Sequence, residues 1–350
     1  MEPLVSILIP AYNAEEWIGQ TLTSATGQTW SRKEIIVVDD GSEDRTWEVA
    51  RRFASKQVSV VRKQNEGAAA ARNHAFRLCQ GEYIQWLDAD DLLSAHKIEN
   101  QLAVLRENDD RRILLSSPWA AFYYRTGHAR FVQNALCQDR SPLEWLLNKM
   151  SRNLHMQTAT WLTSRELSEA AGPWDTSLLS DDDGEYFCRV LLASKGTRFV
   201  PTSKVFYRVV TSKRLSHIGD SDQKKDSMLL SMKLHLKYLR SLEESERVRR
   251  ACLNYLQTWL DIFFPERLDA VAELQRLASD LNGRLEDPHL RWKYAWMKPV
   301  VGWKAAKWTQ SALPLLKASC LRNFDKTIYW LEAQRPKPRE QERAIRDLST

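Results

Sequence analysis

Through the first ninety residues, short apolar runs alternate with stretches whose apolar positions recur at helical spacing. Val5–Pro10 reads as a strand and Ala14–Ala25 as a helix; Glu34–Asp39 reads as a strand, followed by a helix from about Glu43 to Ala54. Val58–Arg62 then predicts a third strand, Gly67–Gln80 a helix and Glu82–Leu87 a fourth strand. Apolar strands separated by amphipathic helices predict an α/β fold, its central sheet mostly parallel and covered on both faces. Parallel strands all end on one side. The residues that follow Ile9, Val38 and Leu87 should therefore share one sheet edge, where open α/β sheets bind their ligands.

Beyond that point, Ile113–Tyr124 predicts one further strand, and Pro142–Met150 and Ser164–Ala171 predict short helices. Asp183–Ser194 predicts a longer helix, with closing strands at Arg198–Val200 and Lys204–Val209. After about Ser216 strand signals fade, and Leu229–Ser241, Glu246–Phe263 and Leu268–Leu281 carry helical spacing. The expected division is a catalytic α/β domain over residues 1–215, a helical accessory region over 216–333 and a charged, mobile tail over 334–350.

Three clusters fall at the expected sheet edge. Gly81-Glu82-Tyr83-Ile84-Gln85-Trp86-Leu87 runs straight into Asp88-Ala89-Asp90-Asp91. Carboxylate oxygens suit hard cations, so Asp88 and Asp90 could hold Mg²⁺ or Mn²⁺ against a substrate diphosphate. Asp is also common at helix N-caps, and a helix is expected from Ser94. Pro10-Ala11-Tyr12-Asn13 and Val37-Val38-Asp39-Asp40-Gly41-Ser42 end the first two strands. A carboxylate there can accept the N3–H of a uracil ring beside a stacking aromatic, and Gly41-Ser42 permits a tight turn. In Asn65-Glu66-Gly67-Ala68-Ala69-Ala70-Ala71-Arg72-Asn73, small residues allow backbone to approach a ligand closely. The helix start favours an anion there, and Arg72 adds charge.

Pro-Ala-Tyr-Asn, Val-Val-Asp-Asp-Gly-Ser, Asn-Glu-Gly-x-x-x-Ala-Arg-Asn and Gly-Glu-Tyr-Ile-x-x-Leu-Asp-Ala-Asp-Asp stand in the order and spacing of the family 2 glycosyltransferases. The resemblance covers roughly residues 3–215 and implies the GT-A fold and an inverting transfer from a nucleotide-sugar. It implies that Asp39 and Asp40 contact the nucleoside, with Pro10, Tyr12 and Glu15 or Glu16 nearby, and that Arg72 reaches toward ribose or diphosphate. Gly67 and Ala89 join the donor-binding set. Asp88 and Asp90 match the family's Asp-x-Asp, with Asp90 the direct metal ligand. Gly172-Pro173-Trp174-Asp175 is similar to the family's Gly-x-Phe-Asp-Glu segment. The resemblance implies that the acidic helix start that follows, Ser180-Asp181-Asp182-Asp183-Gly184-Glu185, supplies the catalytic base. Aligning Glu185 and Arg189 with the family pattern puts Asp183 at the base position. Asp182 replaces the usual Glu before it, so the three aspartates leave the register open by one. Tyr207-Arg208-Val209-Val210-Thr211-Ser212-Lys213-Arg214-Leu215-Ser216-His217 resembles a loop in which Arg208, Arg214 or His217 contacts phosphate or metal. His155 and Trp161 fall where acceptor-side residues often lie.

Composition narrows this picture. The 350 residues include 27% charged side chains and five widely spaced cysteines, which fits reduced thiols rather than a disulfide or zinc framework. Met1 leads directly into a strand pattern, so no signal peptide is expected, and no apolar run is long enough to span a membrane. The expectation is a cytoplasmic protein, at most peripheral to the inner membrane face. The net charge of +6 resides at the C-terminal end: His289–Thr350 holds thirteen Lys/Arg against five Asp/Glu. Its tryptophans among lysines suit an acidic membrane surface, or simply a helix packed on the catalytic domain. No nucleic-acid partner is expected, because no finger or helix-turn-helix signature accompanies the charge. The expected partners are a UDP-sugar or other nucleotide-sugar donor, a glycan or lipid-linked glycan acceptor and a divalent metal. Two alternatives are an inactive sugar- or membrane-binding scaffold and a nucleotidyltransferase making the activated sugar. The latter would need a Gly-rich basic loop after the first strand, where Pro10-Ala11-Tyr12-Asn13 stands.

Overall fold

The computed structural model describes residues 2–105, 110–209, 221–288 and 292–334. Arg214, His217 and the tail from 335 onward lie outside the described residues. The chain divides into two compact units, one of residues 1–121 and 130–288, the other of residues 122–129 and 289–350.

In the first unit, β1 (Val5–Ala11), α1 (Ile18–Thr26), β2 (Lys33–Asp39), α2 (Thr46–Arg51), β3 (Val58–Arg62), α3 (Ala68–Leu78) and β4 (Tyr83–Trp86) follow in the expected alternation. All seven positions of β1 are buried, as an apolar run covered on both faces requires. β1 lies between β2 and β4, parallel to both, and β3 extends the sheet beside β2 in the same direction. Ala11 is in register with Asp39, and Leu8 with Trp86. The turns after β1, β2 and β4 therefore sit side by side.

The chain continues through β5 (Leu92–Leu93), α4 (Lys97–Leu105), β6 (Ile113–Ser116), β7 (Trp119–Phe122) and β8 (Arg130–Phe131). The single strand expected over Ile113–Tyr124 is two. Pro118 separates them, since it has no N–H to donate to a ladder, while its carbonyl accepts from Val205 N at 3.1 Å. Then come α5 (Pro142–Arg152), β9 (Thr163–Ser164), α6 (Arg165–Ala171), α7 (Asp182–Ala193), β10 (Gly196–Phe199) and β11 (Val205–Arg208). β9 adds to the main sheet antiparallel to β4; β10 pairs with β6, and β5, β11, β7 and β8 form a third sheet in that order. The helices α8 (Asp222–Leu242), α9 (Glu246–Phe263) and α10 (Leu268–Asp280) belong to this same unit. Their buried faces, among them Met232, Leu236, Leu256 and Leu274, join the apolar core that contains β1 and β4.

The second unit holds α11 (Trp292–Ala295) and the long α12 (Lys298–Gln334), kinked at Gly302, whose φ is 80°. Arg125 ties α12 to the 122–129 segment, its Nε 2.7 Å from Asp325 and its Nη1 3.0 Å from Glu332. No helix among the described residues is long and apolar enough to cross a membrane.

Candidate active site

The turns after β1 and β2 are laced together before any ligand is considered. Asn13 takes a left-handed backbone (φ 47°), placing its N–H 3.0 Å from Ser42 Oγ and its Oδ1 2.9 Å from Glu43 N. Glu15 N donates to Asp44, and Arg45 returns the contact through Nε to Glu15 at 3.1 Å. Asp44 also accepts from Thr46 N at 2.9 Å, just ahead of α2. Pro10 is buried at the end of β1, while the Tyr12 ring is 47% exposed at the edge, available to stack on a base.

Asp39 and Asp40 are both buried and both engaged. Asp39 faces Arg62 Nε at 3.0 Å and accepts from Ser42 N at 3.3 Å. Asp40 clasps the loop before α3: Lys63 Nζ lies 2.6 Å from one oxygen, which also accepts from Glu66 N, and Gly67 N donates to the other at 2.8 Å. Gly67, at φ 93°, turns the chain into α3 from there. Its N–H is thus used by Asp40.

Arg72, on the first turns of α3, is the hub. Its Nη2 lies 2.8 Å from Asp88 Oδ1 beyond β4, and its Nη1 2.7 Å from Asp182 Oδ2 at the start of α7. The guanidinium stacks 4.4 Å above the Trp174 ring, which in turn stacks on Tyr186 at 4.1 Å. Burial alone would lower the Arg72 pKa, but Asp182 and then Asp88 outweigh it and hold the guanidinium charged. One residue on, Asn73 clamps the same tryptophan from both sides, donating to Trp174 O at 2.9 Å and accepting from Trp174 N at 2.8 Å. The Ala-Arg-Asn end of the third cluster therefore fixes the Gly-Pro-Trp-Asp segment and the acidic helix start together.

At that helix start, Asp181 is left-handed (φ 55°), and Ser231 Oγ donates to its carboxylate at 2.5 Å. A Cβ at Gly184 would lie 2.1 Å from Asp181 Oδ1, so glycine is what lets that carboxylate sit over the first turn. Burial pushes the Asp182 carboxyl up to about 6, against the pull of Arg72 and with help from Asp183 and Asp88. Asp183 is also raised, by burial first and by the charge of Asp181 second. Among the described residues, neutral donors hold it: Thr158 Oγ1 at 3.0 Å and Gly184 N at 2.8 Å. Glu185 and Arg189, the pair used to set the register, face each other at 2.7 Å, and Tyr238 donates to Glu185 at 2.6 Å.

The turn after β4 is held from below. Thr21 Oγ1 donates to Ala89 O at 2.8 Å, and Arg208 donates to Asp90 O through Nε and to Asp91 through its backbone N–H, both at 2.8 Å. Arg208 is fully buried, with its guanidinium 4.3 Å from the Trp17 ring and bonded to Gln20. The loop-contact role expected of Arg208 is corrected accordingly: its guanidinium is spent inside the fold, fixing the Asp88–Asp91 turn. Trp161 is likewise a core residue, 1% exposed against Trp145 and Phe187, and not an acceptor-side wall. The His155 ring lies 5.4 Å from Trp119.

No cluster of three His, Cys, Asp or Glu side chains that could cage a metal occurs among the described residues. Asp88 and Asp90 offer two carboxylates two residues apart at a ligand-binding edge. That donor set fits Mg²⁺ or Mn²⁺, which are usually held by one or two carboxylates with substrate phosphates completing the shell. Sequence reading missed Thr158, Trp174 as the platform under Arg72, and Lys97. Lys97 is fully buried, its amine on Gln85 Oε1 and near Trp161 O, and burial pushes its pKa well down. No local pattern marks these residues, because each is defined by a contact distant in sequence.

Residues 6–140 match the model of glycosyl transferase family 2. An uncharacterized glycosyltransferase of Rickettsia typhi is 31% identical over 192 residues, 55% of this chain and 60% of that protein. The next two curated relatives are matched over 35% and 22% of their lengths, so the chain spans less than two thirds of the relatives it matches. Among solved structures, S. aureus TarS 1–349 in complex with UDP-GlcNAc superposes with a TM-score of 0.64 at 17% identity, over 79% of this chain and 81% of that one. The mannosyltransferase PcManGT from Pyrobaculum calidifontis, in complex with GDP-Man and Mn²⁺, gives a TM-score of 0.51 at 19% identity, over 93% and 88%. Over residues 6–140 the chain is thus similar to glycosyl transferase family 2, in a GT-A-type fold shared with these solved structures.

Proposed function

We propose that this protein is an inverting glycosyltransferase that moves a sugar from a nucleotide-sugar, a UDP-sugar above all, to a hydroxyl of a glycan or lipid-linked glycan. The observation that carries this reading is Arg72 gripping Asp88 and Asp182 at once, which sets the Asp-x-Asp turn beside the acidic start of α7. The solved relatives of the same fold hold UDP-GlcNAc and GDP-Man, which supports a nucleotide-sugar as donor.

In this reading the base stacks on Tyr12 and uracil N3–H reaches Asp39 once the half-exposed Arg62 yields. Asp40 keeps the Asn65–Gly67 turn in shape beside the diphosphate. Asp183 is the base. It takes the acceptor hydroxyl proton as that oxygen bonds to the anomeric carbon, and the bond from that carbon to the diphosphate breaks with its electron pair on the leaving group. Asp182 has its carboxylate occupied by Arg72, and with Arg72 it orients Asp183. A Mn²⁺ or Mg²⁺ ion on Asp90 and Asp88 would supply positive charge to the departing diphosphate. The unit built on the main sheet is the catalytic one. The protein acts at the cytoplasmic face of a membrane as a peripheral enzyme.

The test is nucleotide release from UDP-, GDP- and dTDP-sugars with and without Mn²⁺ and a chelator. The expected result is release from a UDP-sugar that chelation abolishes. Release unaffected by chelator would refute the metal role, and a GDP- or dTDP-sugar preference would refute the donor assignment.

A further inference from the structure

The second unit exposes large apolar side chains. On α12, Trp308 is 71% exposed, Leu316 60%, Phe324 64% and Leu331 56%, and just before it Trp296 is 66% exposed. Leu321, Phe324, Ile328 and Leu331 recur at i, i+3, i+7 and i+10, so they run along one side of the helix. Asp325, Tyr329 and Glu332 occupy a neighbouring side and are taken up by the 122–129 segment, through Arg125 and Tyr124. The apolar stripe is therefore not the face by which α12 is anchored.

Charge decides what covers it. The described part of this unit, residues 122–129 and 292–334, holds eight Lys/Arg against two carboxylates. That surplus of six equals the formal net charge of the whole chain, +6. Both carboxylates, Asp325 and Glu332, are paired with Arg125. Exposed tryptophan, leucine and phenylalanine among cations, with no unpaired acid beside them, is the composition of a helix that lies in a lipid interface. The positive surplus matches the negative potential of a leaflet rich in acidic lipid.

We propose that α12 docks this protein on an anionic lipid bilayer, with Leu321, Phe324 and Leu331 inserted at the headgroup boundary and its lysines against phosphates. The proposal deepens the peripheral placement given above by naming the surface and the lipid chemistry. It is independent of the sheet-edge residues, so the two can fail separately.

The full chain is sedimented with vesicles of phosphatidylcholine alone and of phosphatidylcholine with phosphatidylglycerol, at low and high salt. Binding is expected only to the acidic vesicles and should weaken with salt. Phe324→Glu/Leu331→Glu should lower it by on the order of tenfold or more, with UDP binding by calorimetry unchanged. These side chains are exposed, so the variant should fold; unchanged far-UV circular dichroism checks that, and Lys307→Glu/Lys317→Glu gives a second, purely electrostatic test. Equal binding to both vesicle types, or no loss in either variant, overturns the proposal. So does a concentration-dependent dimer that the apolar variant abolishes, because the stripe would then be covered by a second copy.

Discussion

Arg72 Nη1 lies 2.7 Å from Asp182 Oδ2, although 110 positions separate the two residues in sequence. The same guanidinium holds Asp88, so one buried cation joins the turn after β4 to the start of α7. Arg72→Ala should leave two partly buried carboxylates without a counter-charge. The expected cost is about 3–5 kcal/mol of stability and a fall in turnover of on the order of a hundredfold. Arg72→Lys should recover little, because a single ammonium cannot present two N–H groups in the fork that spans Asp88 and Asp182. Thermal melts and nucleotide-release rates of both variants check this.

Acid should switch the site off at an unusually high pH. Burial raises Asp182 to about 6 and raises Asp183 as well, and the base must be ionised to accept a proton. The acid limb of kcat is therefore expected above the ordinary carboxylate range near 4. The sign for stability is opposite to that of a paired surface acid. A carboxyl whose folded pKa lies above its unfolded value binds more protons in the native state across that window, so stability falls as pH rises from about 4 to 6 and is flat beyond. Asp182→Asn should remove most of that slope in melts recorded across this range.

Asp40 spends its carboxylate on Lys63, Glu66 N and Gly67 N. Asp40→Ala would take the acceptor from Glu66 N and leave Gly67 N only Asn65 Oδ1, at a cost of about 1–3 kcal/mol. The loop they anchor lines the proposed diphosphate site, so donor KM should rise more than kcat falls. Initial rates against donor concentration separate the two.

Metal dependence should sit on the Asp88–Asp91 turn. Asp90→Ala is expected to abolish stimulation by Mn²⁺. Arg208→Ala frees the Asp90 carbonyl, keeps the backbone N–H on Asp91 and removes no ligand. It should instead raise the Mn²⁺ concentration needed for half-maximal release, as loss of an outer-shell support does, by about 10–100-fold. Manganese titrations of the two variants distinguish a ligand from its support.

Much of this was readable from the chain alone. The runs from Val5 to Trp86 appear as the expected strands and helices because fully buried parallel strands are continuous apolar runs that periodicity cannot hide. Pro118 defeated the same reasoning over Ile113–Tyr124, where one missing N–H splits a strand. At the site, residue types and sheet edge were legible, but pairings were not. Three consecutive aspartates look alike in sequence. Only long-range contacts separate Asp181, bound to Ser231, from Asp182, bound to Arg72, and Asp183, bound to Thr158. Arg208 misled for the same reason, since nothing local tells a buried guanidinium under a turn from one on a loop. Arg214 and His217 lie outside the described residues.

The most direct test of the account compares nucleotide release by the wild-type protein and by Asp183→Asn, side by side, with Mn²⁺ and a panel of UDP-sugars. The account predicts release from at least one donor and a fall of about 10²–10⁴-fold in the variant, the usual contribution of a positioned base. Equal rates for the two proteins, or no release from any donor, would contradict it.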